Sequence, residues 1–290
     1  MVSAFPSRRP TLRLGDVEVA EYIVEPVVEP TRGPRPYLHP VRTLGGTVVT
    51  DVLPEDHPHH LGVSVAMQDV NGTNVWGGRT YVRDVGYTWL EDHGRIEHVG
   101  WLAQSDGMLA DRLRWYDRDG RTLLDEERTV AAVALDGAAS VGSAGDAWLL
   151  DIAYRLVNPN EAPVTLGSPA TNGRPGKAGY GGFFWRLAPG VPYVFDPDTD
   201  KEEDVNGSAA DWVAAVGANP DLFTLVFAGL GEGDRWFVRA TEYPGVCVAL
   251  AFERVRRIEP GDALERRHRV IVADGARTRD EVPAMVAALP

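Results

Sequence analysis

Apolar and polar residues alternate along much of this chain. The runs Thr11-Leu12-Arg13-Leu14, Val17-Glu18-Val19-Ala20-Glu21-Tyr22, Arg95-Ile96-Glu97-His98-Val99 and Arg112-Leu113-Arg114-Trp115 largely follow a period of two. That period belongs to a strand with one buried face. Turn formers stand between the runs, at Gly15-Asp16, Asp119-Gly120, Asn158-Pro159-Asn160 and Glu259-Pro260-Gly261-Asp262. Short turns join antiparallel neighbours. Two apolar runs, 222–230 and 246–252, read as buried strands. Helix patterns are few. Residues 209–215 predict two turns. Thr278 to Leu289 is the better helix, with Thr278 as N-cap and Glu281 completing a capping box. Many short strands with little helix predict an all-β fold, a large antiparallel β-sandwich. No linker divides the chain, so residues 1–290 are expected to form one domain.

Composition narrows the function classes. A chain of 290 residues, 44% hydrophobic, buries enough surface to fold without disulfides. Its one cysteine, Cys247, sits in the apolar run Val246 to Leu250, which predicts a buried structural thiol rather than a nucleophile. Nothing here points to an oxidising compartment. The N-terminal stretch Met1 to Pro10 lacks the apolar core of a secretory signal. No segment approaches the ~20 apolar residues that cross a bilayer. The expected location is therefore cytoplasmic, with no membrane partner. A net charge of −13 repels a phosphate backbone, so no nucleic-acid partner is expected.

The candidate chemistry is concentrated in Pro54-Glu55-Asp56-His57-Pro58-His59-His60-Leu61-Gly62, where three of the seven histidines fall within four residues. Imidazole titrates nearest neutral pH and is the commonest metal ligand. His59 and His60 are the candidate acid–base residues. If the segment enters a strand, His57 and His59 share a face and His60 takes the other, so His57 and His59 are the candidate ligands of a divalent metal. The spacing matches no standard zinc signature. A turn with backbone-bonded histidines is the structural alternative.

Further along, Asp69 and Asn71 are positioned to bond sugar hydroxyls, and Trp76 to offer a flat face to a sugar ring; a hairpin with a core tryptophan is the alternative. The glycine-rich stretch 172–182 lacks the ending of a phosphate loop. It carries Lys177, a candidate partner for an anionic substrate group. Trp185, nearby, is a core residue or a second platform. The acidic stretch 196–207 begins with calcium-loop spacing, but Lys201 stands where that loop requires glycine. Glu203 remains a candidate base.

These residues also carry a family resemblance. Tyr37-Leu38-His39-Pro40-Val41-Arg42-Thr43, Asp56-His57-Pro58-His59-His60-Leu61-Gly62, Asp69-Val70-Asn71-Gly72, Trp76-Gly77 and Gly181-Gly182-Phe183-Phe184-Trp185-Arg186 resemble the bacterial PmoA-like family, a domain of unknown function. The resemblance runs over nearly the whole chain and brings His39 and Arg42 into the candidate binding set. The family name points to a membrane-bound methane monooxygenase subunit, a function that the lack of a membrane span argues against. More distantly, the family is similar to β-supersandwich proteins of the galactose mutarotase type. These use a histidine acid and a carboxylate base on sugars. That likeness lies at the level of the fold, and no mutarotase catalytic residue is carried onto this sequence.

Three functions follow as expectations. The first is an enzyme acting on a small-molecule carbohydrate or an oxidised sugar, as an epimerase, lyase or hydrolase. The second is a carbohydrate-binding or accessory protein without catalysis. The third is a metal-dependent enzyme using the histidine cluster.

Overall fold

The computed structural model describes residues 9–135 and 146–290; most of the N-terminal stretch read against a secretory leader lies outside them. The architecture is all-β. A seven-stranded sheet runs in the order Thr11–Leu14, Val17–Ile23, Tyr37–Val41, Val63–Ala66, Gly182–Arg186, Gly245–Ala249 and Arg235–Arg239. An eight-stranded sheet runs Tyr193–Phe195, Trp212–Ala218, Leu222–Ala228, Ala263–Asp274, Ala147–Val157, Thr122–Ala134, Met108–Tyr116 and Arg95–Ser105. Neighbouring strands in both sheets are antiparallel.

The two large sheets share one apolar core. Val19, Leu38, Val65, Phe183, Trp185, Trp236 and Val248 come from the first sheet, and Leu113, Trp115, Trp148, Leu150, Leu225 and Val270 from the second. Trp185 is fully buried there and its indole Nε1 donates to the Val49 carbonyl at 3.1 Å. A sugar platform needs an open face, so the structure makes Trp185 a core residue.

The seven-stranded sheet is buried on its other face as well. Along Gly182–Arg186, Phe183 and Trp185 enter the inter-sheet core, while Phe184 points the opposite way into a second cluster with Ala66, Trp76, Tyr180, Phe237, Cys247, Ala249 and Phe252. A strand covered on both sides has no polar face, which is why this part of the sequence does not alternate. Cys247 belongs to that cluster, fully buried, and burial pushes its thiol up to about 12. The candidate site is built on this outer face.

One expected helix is a strand. Residues 212–218 pair with Tyr193–Phe195 and Leu222–Ala228, and Trp212 and Ala214 join an apolar cluster under the C-terminal helix. The alanines suit a helix locally, but tertiary burial decides. The C-terminal helix is present over Val282–Ala287. Its N-cap is Glu281 and not the expected Thr278; Glu281 Oε2 accepts from the Thr278 backbone N–H at 2.7 Å in the turn that precedes the helix. No helix among the described residues is long and apolar enough to cross a membrane.

Candidate functional site

Residues 54–60 do not form a strand. His57 N–H donates to the Pro54 carbonyl, and His60 N–H donates to the His57 carbonyl at 2.9 Å. Two successive turns with this spacing bring residues 57 and 60 together, and their rings stack with centroids 4.8 Å apart. His59 tilts away, 5.7 Å from His57. The face assignment expected from a strand is thus replaced: His57 pairs with His60, because a turn returns to the same side after three residues.

The turn is fixed from beneath by Arg35, which is fully buried. Its guanidinium donates to the carbonyls of Gly33 at 2.8 Å, Trp76 at 2.9 Å and His59 at 3.1 Å, and to Ser64 Oγ at 3.1 Å. One cation therefore ties the histidine turn to the Trp76 loop. Asn74 Oδ1 accepts the Gly77 N–H at 2.8 Å, and His93 Nε2 donates to the Gly78 carbonyl at 2.7 Å. Gly78 has φ +72°, and a Cβ there would lie 2.8 Å from His59 Cε1. Only glycine meets both demands.

Around this scaffold lies a cavity of about 450 Å³, lined by the histidine turn and Asp56, by Trp76 and Arg79, by Tyr87 and Trp89, by Arg174 and Tyr180, and by Phe237, Arg239, Glu242 and Tyr243. Its walls are mainly aromatic. Trp76 and Tyr180 lie 5.0 Å apart, and Tyr243 packs 4.4 Å from His57 and 5.0 Å from His60. The Tyr87 and Tyr180 hydroxyls bond at 3.0 Å. Arg174 donates to the Tyr87 hydroxyl and sits over its ring at 4.8 Å.

The three histidines are electrostatically distinct. Burial holds His59 neutral, down to about 3, with the nearby charges of His57, Arg35 and His93 acting the same way. His60 is 2% exposed, and burial with the neighbouring histidines and Arg186 keeps it well below the usual range. Arg186 Nη1 approaches His60 Nδ1 at 3.5 Å. Since a guanidinium only donates, Nδ1 is the acceptor and the His60 proton belongs on Nε2. His57 is more open, and Asp56 Oδ2 accepts from its Nδ1 at 2.7 Å. That bond leaves Nε2 for a ligand, the arrangement by which a carboxylate orients a catalytic imidazole. Burial raises the pKa of Tyr180 and Tyr87, so both stay protonated and able to donate.

Among the sequence candidates, His57, His59, His60 and Trp76 meet at this cavity, Trp76 as a 2% exposed member of the outer-face cluster and not as an open platform. The others stand elsewhere. His39 Nδ1 bonds Thr50 Oγ1 at 2.9 Å within its strand, and Arg42 pairs its backbone with Val48. Asp69 accepts from the Gly72 N–H and from Asn172, while Asn71 accepts from the Thr165 N–H and hydroxyl. Lys177 Nζ donates to the Glu203 carbonyl at 2.8 Å, and Glu203 is exposed on the short helix Glu202–Val205. Arg79, Arg239, Glu242 and Tyr243 lie in the wall without having been singled out in the sequence. Arg174 and Tyr180 lie in the glycine-rich stretch that was.

No group of three or more His, Cys, Asp or Glu among the described residues is arranged to hold a metal ion. A metal ion at His59 or His60 would meet the positive charge of Arg35 and Arg186.

A family model described as "Family of unknown function (DUF6807)" matches residues 9–287. The PmoA-like label is not shown by that match. No curated protein matches the chain. Among solved structures, the chain is similar at 11% identity and a TM-score of 0.29 to a heparan sulfate lyase mutant from Pedobacter heparinus, over 63% of this chain and 22% of that one. It is similar at 8% identity and 0.35 to an alpha-galactosidase from Lactobacillus brevis, over 78% and 33%. A GH36 alpha-galactosidase from Geobacillus stearothermophilus follows at 11% and 0.31, over 81% and 30%. These neighbours are carbohydrate-active enzymes, weakly similar, and the chain spans only about a fifth to a third of their length.

Proposed function

Because the chain belongs to that family of unknown function, its activity has to come from the site itself, and we propose that it is a carbohydrate-active enzyme working by histidine acid–base chemistry. His57 transfers the proton, and Asp56 orients its ring. The observation that carries this reading is the 2.7 Å Asp56–His57 bond at the mouth of an aromatic-walled cavity.

Flat aromatic faces suit the apolar side of a sugar ring, and few polar groups then fix its orientation. Neutral His57 accepts a proton on Nε2, and the Asp56 carboxylate stabilises the imidazolium that forms. Tyr180 and Tyr87 remain protonated, so either hydroxyl can donate to a substrate oxygen. His59 and His60, held neutral far below working pH, are poor proton carriers. They shape the wall beside His57. The volume lies within the usual range for small-ligand pockets, on the order of 300–1,000 Å³.

The test is a screen of neutral and oxidised sugars and their methyl glycosides, followed by NMR. A new epimer, an unsaturated sugar or a released aglycone identifies epimerase, lyase or hydrolase. Tight binding with no turnover of any of them would replace this reading with the accessory-protein one.

A further inference from the structure

We infer that the substrate of this site carries a carboxylate on its sugar ring, bound by Arg174 and Arg79; the inference rests on the carbohydrate reading above. The chain as a whole is acidic, with 42 Asp and Glu against 29 Lys and Arg. The cavity wall is not. Arg79, Arg174 and Arg239 line it, on three separate segments, against the carboxylates of Asp56 and Glu242.

Those two acids are already engaged. Asp56 bonds His57 and lies 3.8 Å from Arg186, and Glu242 lies 3.8 Å from Arg239. Arg239 is further occupied by the Val238 carbonyl at 2.8 Å and lies over the Phe237 ring at 4.5 Å. Arg79 and Arg174 have no carboxylate partner among the described residues. Arg174 is nonetheless oriented, because it donates to the Tyr87 hydroxyl and stacks on that ring. Arg79 lies 5.8 Å from the Trp89 ring. Two guanidiniums steered by aromatic faces, in a net-acidic protein, present a site for an anion that the protein does not itself fill.

The geometry of the anion follows from the donors. A guanidinium fork matches a planar carboxylate with two parallel N–H bonds. The surrounding aromatic walls require the remainder of the ligand to be a ring with an apolar face. A hexuronate meets both conditions. His57 then stands beside an acidified ring carbon or its neighbouring oxygen, where proton transfer is useful to any of the three reaction types.

Isothermal titration of the full chain with methyl glucuronide, methyl galacturonide, the matching neutral methyl glycosides and cyclohexanecarboxylate tests this, in the wild type and in Arg79→Gln and Arg174→Gln. Expected is a uronide affinity at least ~10-fold above that of the neutral glycoside at low salt, narrowing as salt rises. Each Gln variant should lower uronide affinity far more than neutral-glycoside affinity, and so remove most of the preference. Arg79 is exposed, so its variant folds even if Arg174→Gln does not. Equal affinity for uronide and neutral glycoside would overturn the inference and leave the carbohydrate reading standing. Cyclohexanecarboxylate binding as tightly as the uronides would overturn the carbohydrate reading and this inference with it, as would no binding of any probe.

Discussion

The guanidinium of Arg35 holds the carbonyl of His59 at 3.1 Å. The same group holds Trp76, Gly33 and Ser64, so the histidine turn and the tryptophan loop keep their spacing through one buried side chain. Burial lowers its pKa to about 9, which still leaves it charged at neutral pH. Arg35→Met is expected to destabilise the fold by about 1–3 kcal/mol for each carbonyl it leaves unpaired, and to weaken ligand binding in whatever remains folded. Urea denaturation and titration on the same sample check both; a variant with wild-type stability would remove Arg35 from this role.

Gly78→Ala reaches the same turn from the other side. The added Cβ meets the His59 ring at 2.8 Å on a backbone with φ +72°. The expected result is a loss of roughly 1–3 kcal/mol from the strained backbone and a fall in ligand affinity as the ring moves. An unchanged melting temperature with unchanged affinity would mean that the ring yields freely.

Much of the fold is legible in the sequence, and the reason is period two. Thr11–Leu14, Val17–Ile23, Arg95–Ser105 and Met108–Tyr116 are strands where the alternation lies. The strand at 212–218 escapes it because the sheet and the C-terminal helix bury both of its sides, and alanine carries little β preference of its own. The histidine turn is conspicuous in the sequence, and its turn alternative is the conformation found. Arg239 and Tyr243 leave no local signal. They reach the cavity only because the Arg235–Arg239 and Gly245–Ala249 strands pair at the sheet edge beside Gly182–Arg186, a long-range fact. Asp69 and Asn71 look like sugar ligands, but Asp69 accepts from Gly72 within its own turn and Asn71 accepts from Thr165 on the neighbouring strand.

Stability should fall as pH drops below neutral. His59 and His268 are held by burial at about 3 and about 4, below the ordinary unfolded value of about 6.5. Between these limits the unfolded chain binds protons that the folded chain refuses, so stability declines as pH falls from about 6.5 towards 4. Each such histidine contributes on the order of 1.4 kcal/mol per pH unit once it titrates in the unfolded state. Denaturation series at pH 7, 6, 5 and 4 measure the slope, and His268→Gln should flatten it. A flat profile in the wild type would contradict the buried neutral state.

Cys247 is expected to be inert. Its thiol is buried among Phe184, Phe237 and Ala249 and pushed up to about 12, so iodoacetamide should label it only after denaturation. Cys247→Ala should keep turnover, at a cost of about 1 kcal/mol in stability. Rapid labelling of the native protein, or lost turnover in a folded variant, would show an accessible and functional thiol.

The most direct measurement is kcat and KM, with ligand affinity and melting temperature, for the wild type beside His57→Gln, His59→Gln and Asp56→Asn, on the best substrate from the sugar screen. Removing a general acid or base costs roughly 10²-fold or more. His57→Gln should fall by that much with an unchanged melting temperature and ligand affinity. Asp56→Asn should fall less, since Asp56 orients the ring rather than carrying the proton. His59→Gln should change affinity more than rate. Wild-type turnover in a folded His57→Gln variant, or a larger loss of rate in His59→Gln than in His57→Gln, would contradict the account.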